Sequence, residues 1–109
     1  QGSMVIYSLG IMGLEIDRLT PASRDHIYLI SLSVLSETSQ SAHFRYYSQQ
    51  TSNVIYGLAK MGAQIDDCPP HVAKGVYHAV LQVMPKMNEQ EVANTVYSLC
   101  LMGAQWDKL

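Results

Sequence analysis

Charge is scarce in this chain. Of its 109 residues 7 are basic and 9 acidic, giving a net charge of −2 and no positive field that would draw in a polyanion. That counts against strong nucleic-acid binding by this chain alone. Cysteine is scarce too: Cys68 precedes Pro69-Pro70 and Cys100 lies in an apolar stretch, with no CxxC spacing. The expectation is two buried or partly buried thiols in a reducing compartment. No apolar run approaches the roughly 18 residues of a membrane span, and no basic amino terminus precedes a signal-peptide core, so no membrane partner is expected. Also missing are a phosphate-cradling glycine loop, a nucleophile elbow and a carboxylate pair placed for acid–base work. The reading is therefore not an enzyme, with no cofactor and no small-molecule substrate.

What is present is repetition. With 48% hydrophobic residues the chain belongs to the folded globular class, and it carries one phrase three times: VIYSLGIMGLEIDRL from Val5, NVIYGLAKMGAQIDDC from Asn53 and NTVYSLCLMGAQWDKL from Asn94. Tyr7, Tyr56 and Tyr97 are spaced 49 and 41 residues apart, as are Gly13, Gly62 and Gly103. Periods in the range of about 20–50 residues mark stacked units, each unable to bury its apolar face alone.

The third copy shows how each phrase folds. Asn88 is a helix cap, and Glu89 and Glu91 place negative charge beside the free amide protons of the first turn. Val92, Val96, Leu99 and Cys100 follow a helical stripe, and Gly103 supplies the left-handed conformation that ends it. Beyond each glycine an apolar residue, Ile16, Ile65 or Trp106, is placed to fold back over the last turn. Prolines at 21 and 69–70 then open second helices, since proline is tolerated where an amide proton would be unpaired anyway. Placing Tyr28 on Tyr77 keeps the 49-residue offset and sets Ile27, Leu32 and Leu35 opposite Val76, Leu81 and Met84. Asp66-Asp67 reads as a cap for the helix that follows.

The expected fold is all-α: an α-solenoid of stacked antiparallel helix pairs, with helices near 3–12, 21–35, 44–61, 70–85 and 89–102. Repeat one comprises a first helix and turn over 1–19, then a second helix and an insertion over 20–52. Repeat two covers 53–93, and 94–109 is the first helix and turn of repeat three. Gln1-Gly2-Ser3-Met4 is readable either as a tag remnant, which would make the chain a fragment, or as native sequence aligned with 50–53. Both ends of such a stack expose apolar faces, a hazard of association.

The segment NEQEVANTVYSLCLMG at 88–103 resembles the first helix of octotricopeptide repeats, and Pro69-Pro70 is similar to that family's second-helix opening. Related helical-repeat proteins of organelles, some with a RAP domain and including heptatricopeptide-type proteins, share the pattern. The likeness covers almost the whole chain, although Ser3-Met4 and Ser52-Asn53 replace the Ala93-Asn94 pair. The resemblance implies a solenoid that follows single-stranded RNA in a mitochondrion or plastid, serving RNA stability, processing, translation or ribosome assembly.

Modular readers of this kind contact a base with a few side chains per repeat. In copy two Asn53, Tyr56 and Lys60 form one stripe: an amide for a base edge, a ring for stacking and a cation for a phosphate. The equivalents are Asn94, Tyr97 and Leu101 in copy three and Met4, Tyr7 and Ile11 in copy one. The competing structural readings are tyrosines packed with hydroxyls on backbone carbonyls, asparagines bonding between helices, and a solvated Lys60. Ser8, Gly57 and Ser98 read as close-approach points between helices. The insertion offers a second site, where Arg45 among His43, Phe44, Tyr46 and Tyr47 suits RNA, a protein contact or simple packing. Cys68, His71 and His78 lack a fourth metal ligand and read as ordinary residues. The alternative to an RNA-binding module is a protein-interaction scaffold, docking a partner or a second copy through the solenoid ends or residues 43–47.

Overall fold

The computed structural model describes residues 2–37, 44–105 and 107, with the backbone alone for 44–46. It is all-α. Five helices run Gly2–Ile11 (α1), Pro21–Glu37 (α2), Phe44–Lys60 (α3), Pro70–Val83 (α4) and Glu89–Leu101 (α5), joined in part by short 3₁₀ turns at Ile16–Arg18 and Met84–Lys86. Each agrees with its sequence-based counterpart to within two residues. Aromatic residues of the insertion extend the following helix, since α3 begins at Phe44; the polar stretch at 38–43, with His43, lies outside the described residues.

Local chemistry accounts for the boundaries. The Thr20 hydroxyl accepts from the Ser23 amide at 3.2 Å at the entry to α2, and α4 starts with Pro70 in its first turn. At α5 the Asn88 carboxamide oxygen accepts from the Glu91 amide at 2.8 Å, while the Glu91 carboxylate accepts from the Asn88 amide at 3.0 Å. This reciprocal capping box pairs two backbone donors that a helix start leaves open. Asp66 and Asp67 are exposed, and the cap of α4 is Pro69 without a side-chain bond, so the expected aspartate cap is not formed.

The three repeated helices end in one motif. Gly13, Gly62 and Gly103 have φ of 85°, 84° and 73°, and the residue after each donates back to a leucine carbonyl five residues earlier: Leu14 to Leu9 at 3.2 Å, Ala63 to Leu58 and Ala104 to Leu99 at 3.0 Å. This is the Schellman arrangement, which needs a left-handed residue and so favours glycine. The chain then turns inward, burying Ile16 and Ile65. Their amides reach the next copy: Ile16 donates to the Met61 carbonyl and Ile65 to the Met102 carbonyl, both at 2.8 Å. Trp106, the third member of this set by sequence, lies outside the described residues.

The helices form two layers, α1–α3–α5 and α2–α4, with neighbours in each layer packed together. Ile6, Ile55, Leu58, Val72, Val76, Leu35 and Leu99 fill the space between and within them. The body measures 36 × 31 × 23 Å, so the elongation that distinguishes a solenoid is not developed over this length. No helix among the described residues is long and apolar enough to cross a membrane.

Burial corrects the sequence reading in three places. On α5 the buried side chains are Glu91, Thr95, Ser98 and Leu99, whereas Val96 and Cys100 face outward. The expected core stripe is thus rotated, because polar residues that find hydrogen-bond partners, within α5 or on α3, are the ones buried. Ser98 donates to the Asn94 carbonyl at 2.6 Å, and Ser48 donates to the Glu91 carboxylate at 3.3 Å. Cys100 is accordingly an exposed thiol, while Cys68 is buried. Leu81, set opposite the half-buried Leu32 by sequence, is also exposed.

Candidate functional site

Helix α3 is enclosed by α1, α5 and the second layer. From Ser48 to Lys60 its residues are buried except Gln49, Asn53, Tyr56 and Lys60. These recur at helical spacing, so they form the one open stripe on that span of the central helix. Such a stripe is polar because it alone meets water.

Flanking helices turn the stripe into a groove of about 530 Å³. Gln49, Asn53 and Tyr56 form its floor; Tyr7 stands on the α1 side, and Gln90, Glu91 and Asn94 stand on the α5 side with Asn88 at the cap. The rings of Tyr7 and Tyr56 pack on each other with centroids 5.6 Å apart and planes tilted by 37°. Asn53 Nδ2 donates to the Met4 sulfur at 3.9 Å, a weak bond across copies, and Asn53 lines the groove. The Glu91 carboxylate is occupied by the Asn88 amide and the Ser48 hydroxyl, so it serves the fold.

The groove therefore presents carboxamides and phenol rings with little charge. Carboxamides donate and accept together, matching base edges or peptide groups, and rings supply a stacking face. No lysine or arginine lines it among the described residues; Lys60 Nζ sits just beyond, 6.0 Å from the Tyr56 ring centre. Lys60 also borders a smaller cleft with Glu15 and Asp17.

Of the residues singled out by sequence, Asn53, Tyr56 and Asn94 are brought together, with Lys60 at one end. Tyr97 is exposed on α5 and does not line the groove. The side chains of Phe44, Arg45 and Tyr46 lie outside the described residues; their backbone occupies the first turn of α3, and eight residues of helix between Arg45 and Asn53 span about 12 Å. They are not one cluster with Lys60, at the opposite end of α3. Of the repeated tyrosines, Tyr7 and Tyr56 are half-buried and pack ring on ring. Sequence reasoning missed Gln49 and Gln90. Their signal was available, since both stand four residues before the repeated asparagine and so one turn along the same face.

Away from the groove, Cys68 faces Tyr28 beneath the turn before α4. Burial raises the Cys68 thiol above its usual pKa, the Tyr28 hydroxyl opposing and Asp67 reinforcing the shift. Burial raises the Tyr28 phenol, with Cys68 adding to it. Both groups are held neutral at physiological pH, which makes this thiol a poor nucleophile. Among the described residues no three His, Cys, Asp or Glu side chains are grouped to hold a metal ion. Comparison of the chain with family models, with curated proteins and with solved structures finds no match.

Proposed function

We propose that the groove over α3 binds single-stranded RNA, reading base edges with Asn53 and Asn94 and stacking bases on Tyr56. The observation that carries this reading is the open stripe of the central helix, whose only residues not buried from Ser48 to Lys60 are two carboxamides, a tyrosine and a lysine. Sequence-tolerant stacking on aromatic rings and hydrogen bonding to unstacked bases are the usual means of holding single strands. The likeness of residues 88–103 to octotricopeptide first helices supports a place in organellar RNA metabolism, in a mitochondrion or plastid, as a binding module without catalysis. In this reading the further repeats of a solenoid would extend the groove.

Low charge shapes the test. A groove with one flanking cation makes few phosphate contacts, and each contact to a single strand contributes a slope of about −0.7 in log K against log salt. Titration of labelled single-stranded RNA at two salt concentrations should therefore show binding with a shallow slope, and Tyr56→Ala should weaken it roughly 5- to 100-fold. Absence of binding, or binding indifferent to Tyr56→Ala, sinks the reading.

A protein-interaction scaffold is the second reading, favoured by the net charge of −2 and by the same carboxamides, which match a peptide backbone equally well. It accounts for a titration in which RNA does not bind.

A further inference from the structure

Copies two and three present the groove with the same pair of side chains. Gln49 and Asn53 on α3 stand four residues apart, as do Gln90 and Asn94 on α5, so each pair occupies one helical turn of a shared face. All four line the groove. The opening over the first pair belongs to the fold itself: α3 packs against both α1 and α5, yet Gln49 stays exposed and Asn53 half-buried. Copy one holds Met4 at the asparagine position, where it accepts the weak bond from Asn53. That bond uses one of the two hydrogens a carboxamide carries.

A carboxamide joins an acceptor oxygen to a donor nitrogen, so it is matched by an edge where a donor and an acceptor stand side by side. Two carboxamides one turn apart ask for such an edge twice on one base. Of the edges that an unstacked base turns away from its ribose, Watson–Crick and Hoogsteen, adenine alone carries the match on both. Its N6 amino group gives one hydrogen beside N1 and the other beside N7. Guanine offers only the acceptors O6 and N7 on its Hoogsteen edge; cytosine has no acceptor there, and uracil no donor. Helices in contact lie about 8–10 Å apart, well beyond the roughly 3.4 Å per strand of a stacked duplex. Bases held one per helix therefore stand apart, with both edges free. Charge leaves edge matching as the means of selection: the Glu91 carboxylate is engaged by the Asn88 amide and the Ser48 hydroxyl, and no lysine or arginine lines the groove among the described residues.

We infer that the groove selects two successive adenines of a single strand, one clamped between Gln49 and Asn53 and the next between Gln90 and Asn94. The inference rests on the RNA reading of the groove. It adds the base, the number of bases read and the two glutamines as specificity-determining residues.

The test compares labelled hexauridine with the same strand carrying two adjacent adenines at its centre. The adenine strand should bind roughly 5- to 100-fold more tightly. Strands with 7-deazaadenine, which has a C–H in place of N7, or with purine lacking the N6 amino group, should each fall back towards hexauridine. These exchanges alter the ligand and leave the protein untouched. The double variant Gln49→Ala/Gln90→Ala, both positions being exposed, should lose most of the adenine preference. Free adenosine monophosphate should compete far more weakly than the strand, because two linked bases bind together. Equal affinity for the adenine and uridine strands, indifference to the 7-deaza exchange, full preference in the double variant, or competition by the monophosphate equal to that of the strand overturns the inference while RNA binding stands. Failure of every strand to bind overturns the RNA reading and the inference together.

Discussion

The backbone of Gly57 in α3 lies directly against the Ile6 carbonyl of α1, so that a methyl group on Gly57 would collide with that oxygen. Two first helices approach this closely only where a side chain is missing. The partner position on α1 is also a glycine, Gly10, and the pair sets the spacing of the layer from which the groove is built.

Gly57→Ala should therefore destabilise the fold. Alanine gains about 1 kcal/mol of helix propensity over glycine, but the collision is with backbone atoms and forces α1 away, at a cost of about 1–3 kcal/mol or more. A net loss in the urea-unfolding midpoint is expected. An unchanged or raised midpoint would show that α1 yields freely.

Gly62→Ala tests a different cost. Its φ of 84° is left-handed and a methyl there meets nothing within 4 Å, so only the conformation is penalised, by about 1–2 kcal/mol. Asparagine, which tolerates this region, should lose less than alanine in the same unfolding measurement. Equal losses for both variants would point to a steric cause instead.

Removing the capping box at Glu91 should cost about 1–2 kcal/mol. Glu91→Ala leaves the Asn88 amide without its carboxylate and takes an acceptor from Ser48. Hydrogen exchange should locate the loss in the first turn of α5; loss spread evenly over all five helices would contradict a local cap.

Stability should fall at alkaline pH because of Cys68 and Tyr28. Each folded-state pKa is raised, so each group keeps its proton in the folded chain after the unfolded chain has lost it. The unfolded state then binds fewer protons, and the stability present below the unfolded thiol value of about 8.5 declines above it, with the phenol adding its share above about 10. Urea midpoints followed from pH 7 upward should decline, and Cys68→Ala should flatten the first part of the fall. The same slope in native and variant chains would remove Cys68 as its cause.

The helices were legible because their ends carry strong local signals. Asn88, Pro21, Pro70 and the three Met-Gly pairs act through backbone geometry within one turn, which needs no knowledge of neighbours. The facing of α5 was not legible for the opposite reason. Val96 and Ile55 occupy the same position and differ only in whether a following helix covers them, while Glu91, Thr95 and Ser98 are buried by α3 although their chemistry suggests a surface. At the groove, Asn53, Tyr56 and Asn94 were visible as a helical stripe, whereas Tyr97 shares that spacing but stands exposed on α5 away from the groove's lining. Gln49 and Gln90 were overlooked because they precede the repeated phrase from which the stripe was read.

The central claim, that the α3 stripe holds a single strand through its carboxamides and rings, is tested most directly by nuclear magnetic resonance. Side-chain amide signals of Gln49, Asn53, Gln90 and Asn94 would be followed as an unstructured single-stranded RNA is added. The account predicts that these four signals shift together and saturate at one ratio, with Tyr56→Ala suppressing the change. Shifts absent from all four, or confined to the outer face of α5 at Val96 and Cys100, would contradict it.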